Sequence, residues 1–267
     1  MKVHSWVTLC LLFTLITSPI LMVVAGRTSY SENGAGYTLY YDGSSPTNPT
    51  DLLWGAEGFS IVQQVSMPDE YIDNEPIKLS AWVGISRDYD GGPQLLQGGW
   101  AVTYLWDASQ FVYYTWIELY PPEPANPIAP VNPGDEVHAS AYMVDKSLGH
   151  GRICIWVYGS TSIQFCQDYQ LNEDASNVRY AHFIVETPYT PAVEDYARLP
   201  KFNTIKISDV SVVLSDGYSY TVTKGSSLIN AGYYFKWILQ QGNYTNVDVS
   251  YDSTDESVVV QYITSKR

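Results

Sequence analysis

The sequence predicts an all-β protein, an antiparallel sandwich or barrel. Short runs rich in Val, Ile, Tyr, Phe and Trp recur along the chain. Turn formers punctuate them: Met67-Pro68-Asp69, Asp90-Gly91-Gly92-Pro93, Asn132-Pro133-Gly134-Asp135 and Ser215-Asp216-Gly217. No amphipathic helical run of useful length competes. Alternating runs between Gly, Pro and Asp turns are the pattern of stacked antiparallel sheets.

The chain has 267 residues, enough for one large β domain. Lys2 and the apolar run from Trp6 to Val24, followed by Ala25-Gly26, read as a secretory signal peptide over 1–25. An uncleaved anchor is the alternative, and Ser18-Pro19 interrupts the run. The expected location is therefore outside the cell, free of the membrane once the signal is removed. Residues 26–50, rich in Ser, Gly, Asn, Pro and Tyr, read as a linker or loosely packed arm. Residues 51–267 read as one β-sandwich domain, with those after about 216 as added edge strands or a small appendage.

Strands are predicted at Gly58–Met67, Lys78–Ser86, Gln94–Tyr104, Gln110–Tyr120, Glu136–Val144, Arg152–Tyr158, Ser162–Tyr169 and Arg179–Glu186. Asn203–Leu214, Tyr218–Thr223, Tyr233–Gln240, Tyr244–Tyr251 and Ser257–Thr264 complete the set. In Lys78–Ser86, Leu79, Ala81, Val83 and Ile85 alternate with Ser80, Trp82 and Gly84, so Trp82 points away from the buried face. Gln97 interrupts the apolar run Gln94–Trp100 and needs partners for its amide. Gly98-Gly99 beside it leave room above the backbone. An amide, a nearby Trp and open space suggest the floor of a cleft.

Lys and Arg number 14 against 28 Asp and Glu, a net charge of −14, which excludes nucleic acid as a partner. Cys154 and Cys166 flank Gly159–Ser162 in a hairpin pattern, so a disulfide is expected, two separate thiols being the alternative. Asn243-Tyr244-Thr245 is a glycosylation sequon. The histidines show no metal-ligand spacing, and neither a nucleophile elbow nor a phosphate loop is present. No metal and no cofactor are expected.

Carboxylates are left as candidates. Glu186 closes His182–Glu186, where it is either a strand-end charge reaching water or a positioned acid/base. Glu118 in Tyr114–Tyr120 poses the same question, and it shares a strand face with Trp116 and Tyr120. Asp135 reads as turn chemistry.

The blocks Ser80–Ile85 (SAWVGI), Gln94–Gly99 (QLLQGG), Tyr114–Pro121 (YTWIELYP), Asn132–Val137 (NPGDEV) and Ala181–Glu186 (AHFIVE) occur in this order. Together they resemble the glutamic peptidase family, the eqolisins, over about Leu52 to Val213. Leu53-Trp54-Gly55-Ala56 is similar to that family's opening Trp-Gly block. The resemblance implies two bent antiparallel sheets with a polypeptide substrate across the concave face, endopeptidase activity in acid, and a Gln–Glu dyad. It places the dyad on Gln97 and Glu186, and substrate contacts on Trp82 and Glu118, with Gly98 and Tyr120 as further candidates beside them. Hydrogen bonds from Gln97 to an ionised Glu186 are expected to lower its pKa. A monomer is expected. The chain departs from the family's fungal members at Ser86, where Asp is usual, and at Thr187-Pro188, where Asp-Phe is common; a cysteine near the W-x-G-I block is missing. These departures bear on subsites and stabilisation. A non-catalytic sandwich that stacks sugars or polymers on Tyr and Trp, or a glycosidase using Glu118 and Glu186, is the alternative reading.

Overall fold

The computed structural model describes residues 26–31, 33–41, 52–88, 94–160, 162–172, 178–190, 195–215, 220–241 and 244–266. The signal-peptide reading of 1–25 and the sequon asparagine at 243 lie outside them. In order, the strands are β1 (Arg27–Ser31), β2 (Gly34–Tyr40), β3 (Leu52–Ile61), β4 (Lys78–Ser86), β5 (Leu95–Leu105) and β6 (Gln110–Tyr120). Then come β7 (Asn126–Pro130), β8 (Glu136–Asp145), β9 (His150–Tyr158), β10 (Ile163–Gln170) and β11 (Tyr180–Glu186). The chain continues through β12 (Tyr189–Thr190), β13 (Asp195–Tyr196), β14 (Thr204–Ser215) and β15 (Tyr220–Lys224). A six-residue helix α1 (Gly225–Asn230) precedes β16 (Tyr234–Gln241), β17 (Tyr244–Asp252) and β18 (Ser257–Lys266).

Neighbouring strands follow the order β10-β9-β8-β3-β14-β18-β17-β16-β2-β11-β4-β5-β6-β7. This path doubles back on itself. β4 and β5 lie over β3, β8 and β9, giving a two-layer sandwich. The contact is close: a Cβ added at Gly98 on β5 would come 3.0 Å from Ile153 on β9.

Alternation sorts the site-bearing sheet into two faces. Leu79, Ala81, Val83 and Ile85 of β4 point into the sandwich with Leu96, Trp100 and Val102 of β5, joined from the other layer by Ala139, Ala141, Ile153 and Ile155. On the opposite face Trp82, Leu95, Ala101, Trp116 and Ile184 form a second, smaller cluster, with Tyr114 and Trp237 packed against it. The predicted direction of Trp82 is the observed one.

β4 and β6 fall at their predicted bounds, and most others within a few residues. Cys154 and Cys166 stand opposite one another on β9 and β10 and are bonded. β3 begins six residues earlier than predicted, at Leu52. β7 carries two prolines and was not predicted; it pairs only with β6, at an edge where a missing N–H costs no ladder bond.

Two organisational expectations are corrected. The arm expected over 26–50 contains β2, a fully buried strand between β11 and β16. Ala35, Tyr37 and Leu39 face the core, but only Gly34, Gly36 and Thr38 stand between them, too weak a contrast to mark a strand among Ser, Gly and Asn. The chain after 216 does not simply add edge strands. Among the described residues after 216, β15 is the edge strand, while β16, β17 and β18 link β2 to β14 and so join the two layers.

Candidate active site

The smaller cluster and the polar residues around it occupy adjacent cross-strand rows. Gln97 pairs with Gly84 on β4 and Glu118 on β6, and Gly84 pairs with His182 on β11. The next row holds Trp82, Gly99, Trp116 and Ile184. The row beyond it holds Ser80, Ala101, Tyr114 and Glu186. Paired residues share a face, and so do residues two apart. Gln97, Trp82, Glu118 and Glu186 therefore all project from one face. Trp82 stands midway on the diagonal from Gln97 to Glu186.

Gln97 is 5 % exposed. Its Nε2 donates to Glu118 Oε2 at 2.6 Å, and its Oε1 is buried without a hydrogen-bond partner. A Cβ on Gly84 would meet Gln97 Cβ at 3.0 Å, so the glycine makes room for the amide. The structure thus directs the Gln97 amide to Glu118, not to Glu186 as expected from the sequence.

Glu186 is half-buried at the end of β11, and Ser80 Oγ donates to its Oε1 at 3.3 Å. The Trp82 indole N–H faces the same carboxylate and lowers its pKa, but falls short of hydrogen-bond geometry. Burial raises the Glu186 pKa to about 7, and the charge of Glu118 adds to the rise against the weaker pull of Trp82 and Ser80. The expected lowering is overturned. Desolvation outweighs the donors within reach, and Gln97 is not one of them. Burial likewise raises Glu118 to about 7 despite the Gln97 amide and the Ala125 N–H. The negative charge of Glu118 thus acts on Glu186 across the face they share.

The remaining candidates divide. Tyr120 is 57 % exposed, two residues beyond Glu118 on the same face, at the rim. Gly98 does not join the cleft. It pairs with Val83 and Ile117, and a Cβ there would point at Ile153 and Ile117 inside the sandwich. The glycine on the face of Gln97 is Gly99, one residue on, tightly held between Trp82 and Trp116. A Cβ there would lie 2.0 Å from the Ala81 carbonyl oxygen. Period-two alternation from Gln97 separates these two glycines.

Asp135 serves the turn, as expected. It accepts from the Asn132 N–H, the Ser160 N–H and the Ser160 hydroxyl. Two site residues escape the sequence reading. Ser80 and His182 stand on the faces of Trp82 and Glu186, where alternation would have found them. His182 Nδ1 is 3.0 Å from Thr38 Oγ1 and its Nε2 is 2.7 Å from Ser86 Oγ.

Residues 43–262 match the model of the peptidase A4 family. The chain belongs to that family, and it is a peptidase, a hydrolase. Its fold is that of solved glutamic peptidases. A scytalido-glutamic peptidase bound to a transition-state analog inhibitor superposes with TM-score 0.63 at 17 % identity, covering 87 % of this chain and 99 % of that one. Aspergilloglutamic peptidase from Aspergillus niger gives TM-score 0.52 at 21 % identity over 70 % and 99 % of the two chains. SCP-B, an eqolisin in complex with the tripeptide Ala-Ile-His, gives 0.54 at 17 % over 87 % and 99 %. A search of curated proteins finds no match.

Proposed function

We propose that this protein is an exported endopeptidase that cleaves polypeptides on the concave face with Gln97 and Glu186. The observation that carries this reading is the pairing of a buried, unpartnered Gln97 Oε1 with a carboxyl of raised pKa on the same face. A water donating to Gln97 Oε1 and to the Glu186 carboxylate is held and polarised at once. Glu186 removes its proton as the oxygen attacks the scissile carbonyl. The second Nε2–H of Gln97, the one not given to Glu118, stabilises the developing oxyanion. Glu186 then returns the proton to the leaving nitrogen. A base with pKa about 7 is strong enough to deprotonate water and still a useful acid in the following step. With both carboxyls raised to about 7, Glu186 is ionised and able to act as a base only as pH approaches neutral, so the working range is displaced upward from the usual glutamate value of about 4.3. Trp82 and Tyr120 lie on the substrate's path along the face.

The test is hydrolysis of a denatured protein across pH by wild type and by Glu186→Gln. Peptide products from wild type, and none from the folded variant, support the reading. A variant that cleaves like wild type sinks it.

A further inference from the structure

β2 lies outside the part of the chain that the family model matches, which begins at residue 43. Yet it is built into the centre of the site-bearing sheet. Every residue from Tyr180 to Glu186 is paired with β2, from Tyr40 back to Gly34. The Thr187 N–H continues the ladder to the Asn33 carbonyl at 2.8 Å. Gly36 has φ +142°, and a Cβ there would lie 2.1 Å from the Phe183 carbonyl oxygen, so β2 and β11 approach as only glycine allows. Without β2 the Glu186 strand would have a row of buried backbone groups with no partners.

β2 also contributes Thr38 to a hydrogen-bonded chain that runs from Trp237 through His182 to Ser86. The Trp237 indole N–H, which can only donate, donates to Thr38 Oγ1 at 2.9 Å. The Asp88 carbonyl, which can only accept, accepts from Ser86 Oγ at 2.5 Å. Ser86 has no second hydrogen, so its oxygen accepts from His182 Nε2–H. Thr38, whose oxygen accepts from Trp237, has its own hydrogen available to give to His182 Nδ1. The His182 ring stands 6.0 Å from Trp82, tilted by 44°. On β11 His182 and Glu186 flank Ile184, the residue paired with Trp82.

We infer that β2 is a permanent part of the active site: through Thr38 it holds His182 as the neutral Nε2–H tautomer, and His182 positions Trp82 toward Glu186. The inference rests on the peptidase reading for the role of Trp82 and Glu186. It makes β2 a wall of the cleft instead of a detachable pro-segment, and His182 a positioning residue.

Three measurements on the purified full-length product test it. Intact mass of the active species should show residues 34–41 retained, and an active species that begins after Tyr41 overturns the inference. Nitrogen-15 spectra of the histidine rings should show His182 protonated at Nε2 with Nδ1 accepting, and a proton on Nδ1 overturns the assignment. Thr38→Val, which leaves Nδ1 without its donor, should lower kcat roughly three- to tenfold with KM within about twofold, as loss of one hydrogen bond implies. Thr38→Ser should restore it. An unchanged kcat in folded Thr38→Val shows that the contact is only structural and overturns the positioning role. Should Thr38→Val not fold, the histidine spectrum of wild type and the kcat of Thr38→Ser, expected near wild type, decide. A wild type inert toward peptides would defeat the peptidase reading, while the spectrum would still decide the tautomer.

Discussion

Carboxylates wholly or partly withdrawn from water occur in two kinds of place in this molecule, and their pKa values move in opposite directions. Asp135 and Glu256 sit in turns. Burial pushes the Asp135 carboxyl up, but donors from Ser160 and Asn132 outweigh it and hold the group below its ordinary value. Glu256 is likewise pushed up by burial and held down by the Ser226 hydroxyl and N–H, by Tyr251 and by Lys224. Glu118 and Glu186 sit on strands, and burial raises both to about 7. The difference lies in the backbone. Turns and helix starts leave N–H groups free to point at a carboxylate. Strands of a paired sheet spend theirs on the ladder, so a carboxylate on the face depends on a few side chains. A sheet face is thus a place where a glutamate is kept ready to hold a proton.

The largest effect is expected from removing the side-chain amide that meets Glu118. Gln97→Ala should cost about 10²–10³ in kcat if the amide supports the oxyanion. Single-turnover assays on folded protein measure this, and a loss below about tenfold would assign Gln97 to packing. On the turn side, Asp135→Asn places an amide against three donors. A loss of about 2 kcal/mol at pH 7 is expected in urea unfolding. The Asp135 pKa is depressed, so its stabilisation is present above the unfolded value near 4 and disappears as pH falls through the folded value. The gap between variant and wild type should therefore close in strong acid.

Sequence patterns expose the strand side of this comparison better than the turn side exposes itself. Period-two alternation from Leu79 fixes the face of Trp82, and the same counting puts Glu118 with Trp116. The ordered blocks bring Gln97 and Glu186 to one face, because block order and strand length set the register. The choice between Gly98 and Gly99 needs the register itself, and Gly98 falls on the wrong side. The partner of the Gln97 amide is also hidden, since Gly84 separates Gln97 from His182 while Glu118 stands directly beside it. β2 is illegible for a physical reason. A strand buried on both faces and rich in glycine has the composition of a linker, and its contact with β11 spans more than a hundred residues of chain. Thr38 could not be linked to His182 without that pairing.

Coupling between the strand carboxylates offers a finer test. Glu118→Gln removes a negative charge that raises Glu186, after the larger effect of burial. The Glu186 pKa should fall, and the acidic limb of the kcat profile should move to lower pH by up to about one unit. The amide of the variant still meets Gln97, so folding is preserved. A limb that stays in place would show that burial alone sets the Glu186 value.

The smallest effect has the opposite sign to the Asp135 effect and follows from the same linkage. The Glu186 pKa is raised to about 7 in the folded chain against about 4.3 unfolded. Its favourable contribution is complete below the unfolded value and is lost as pH rises through the folded one. Glu186→Gln keeps an acceptor for Ser80 and never ionises. It should match wild type in thermal unfolding near pH 4 and exceed it by about 2–4 °C at pH 8, the size expected for ~1 kcal/mol in a chain of this length. The shift is set well below the full pKa difference because Glu186 keeps some contact with water. An inactive variant whose stability advantage opens above the unfolded pKa and is complete above the folded one identifies a charge kept for chemistry at the expense of the fold. Equal stability at both pH values would place the Glu186 carboxylate in water and return it to the ordinary strand-end charge of the alternative reading.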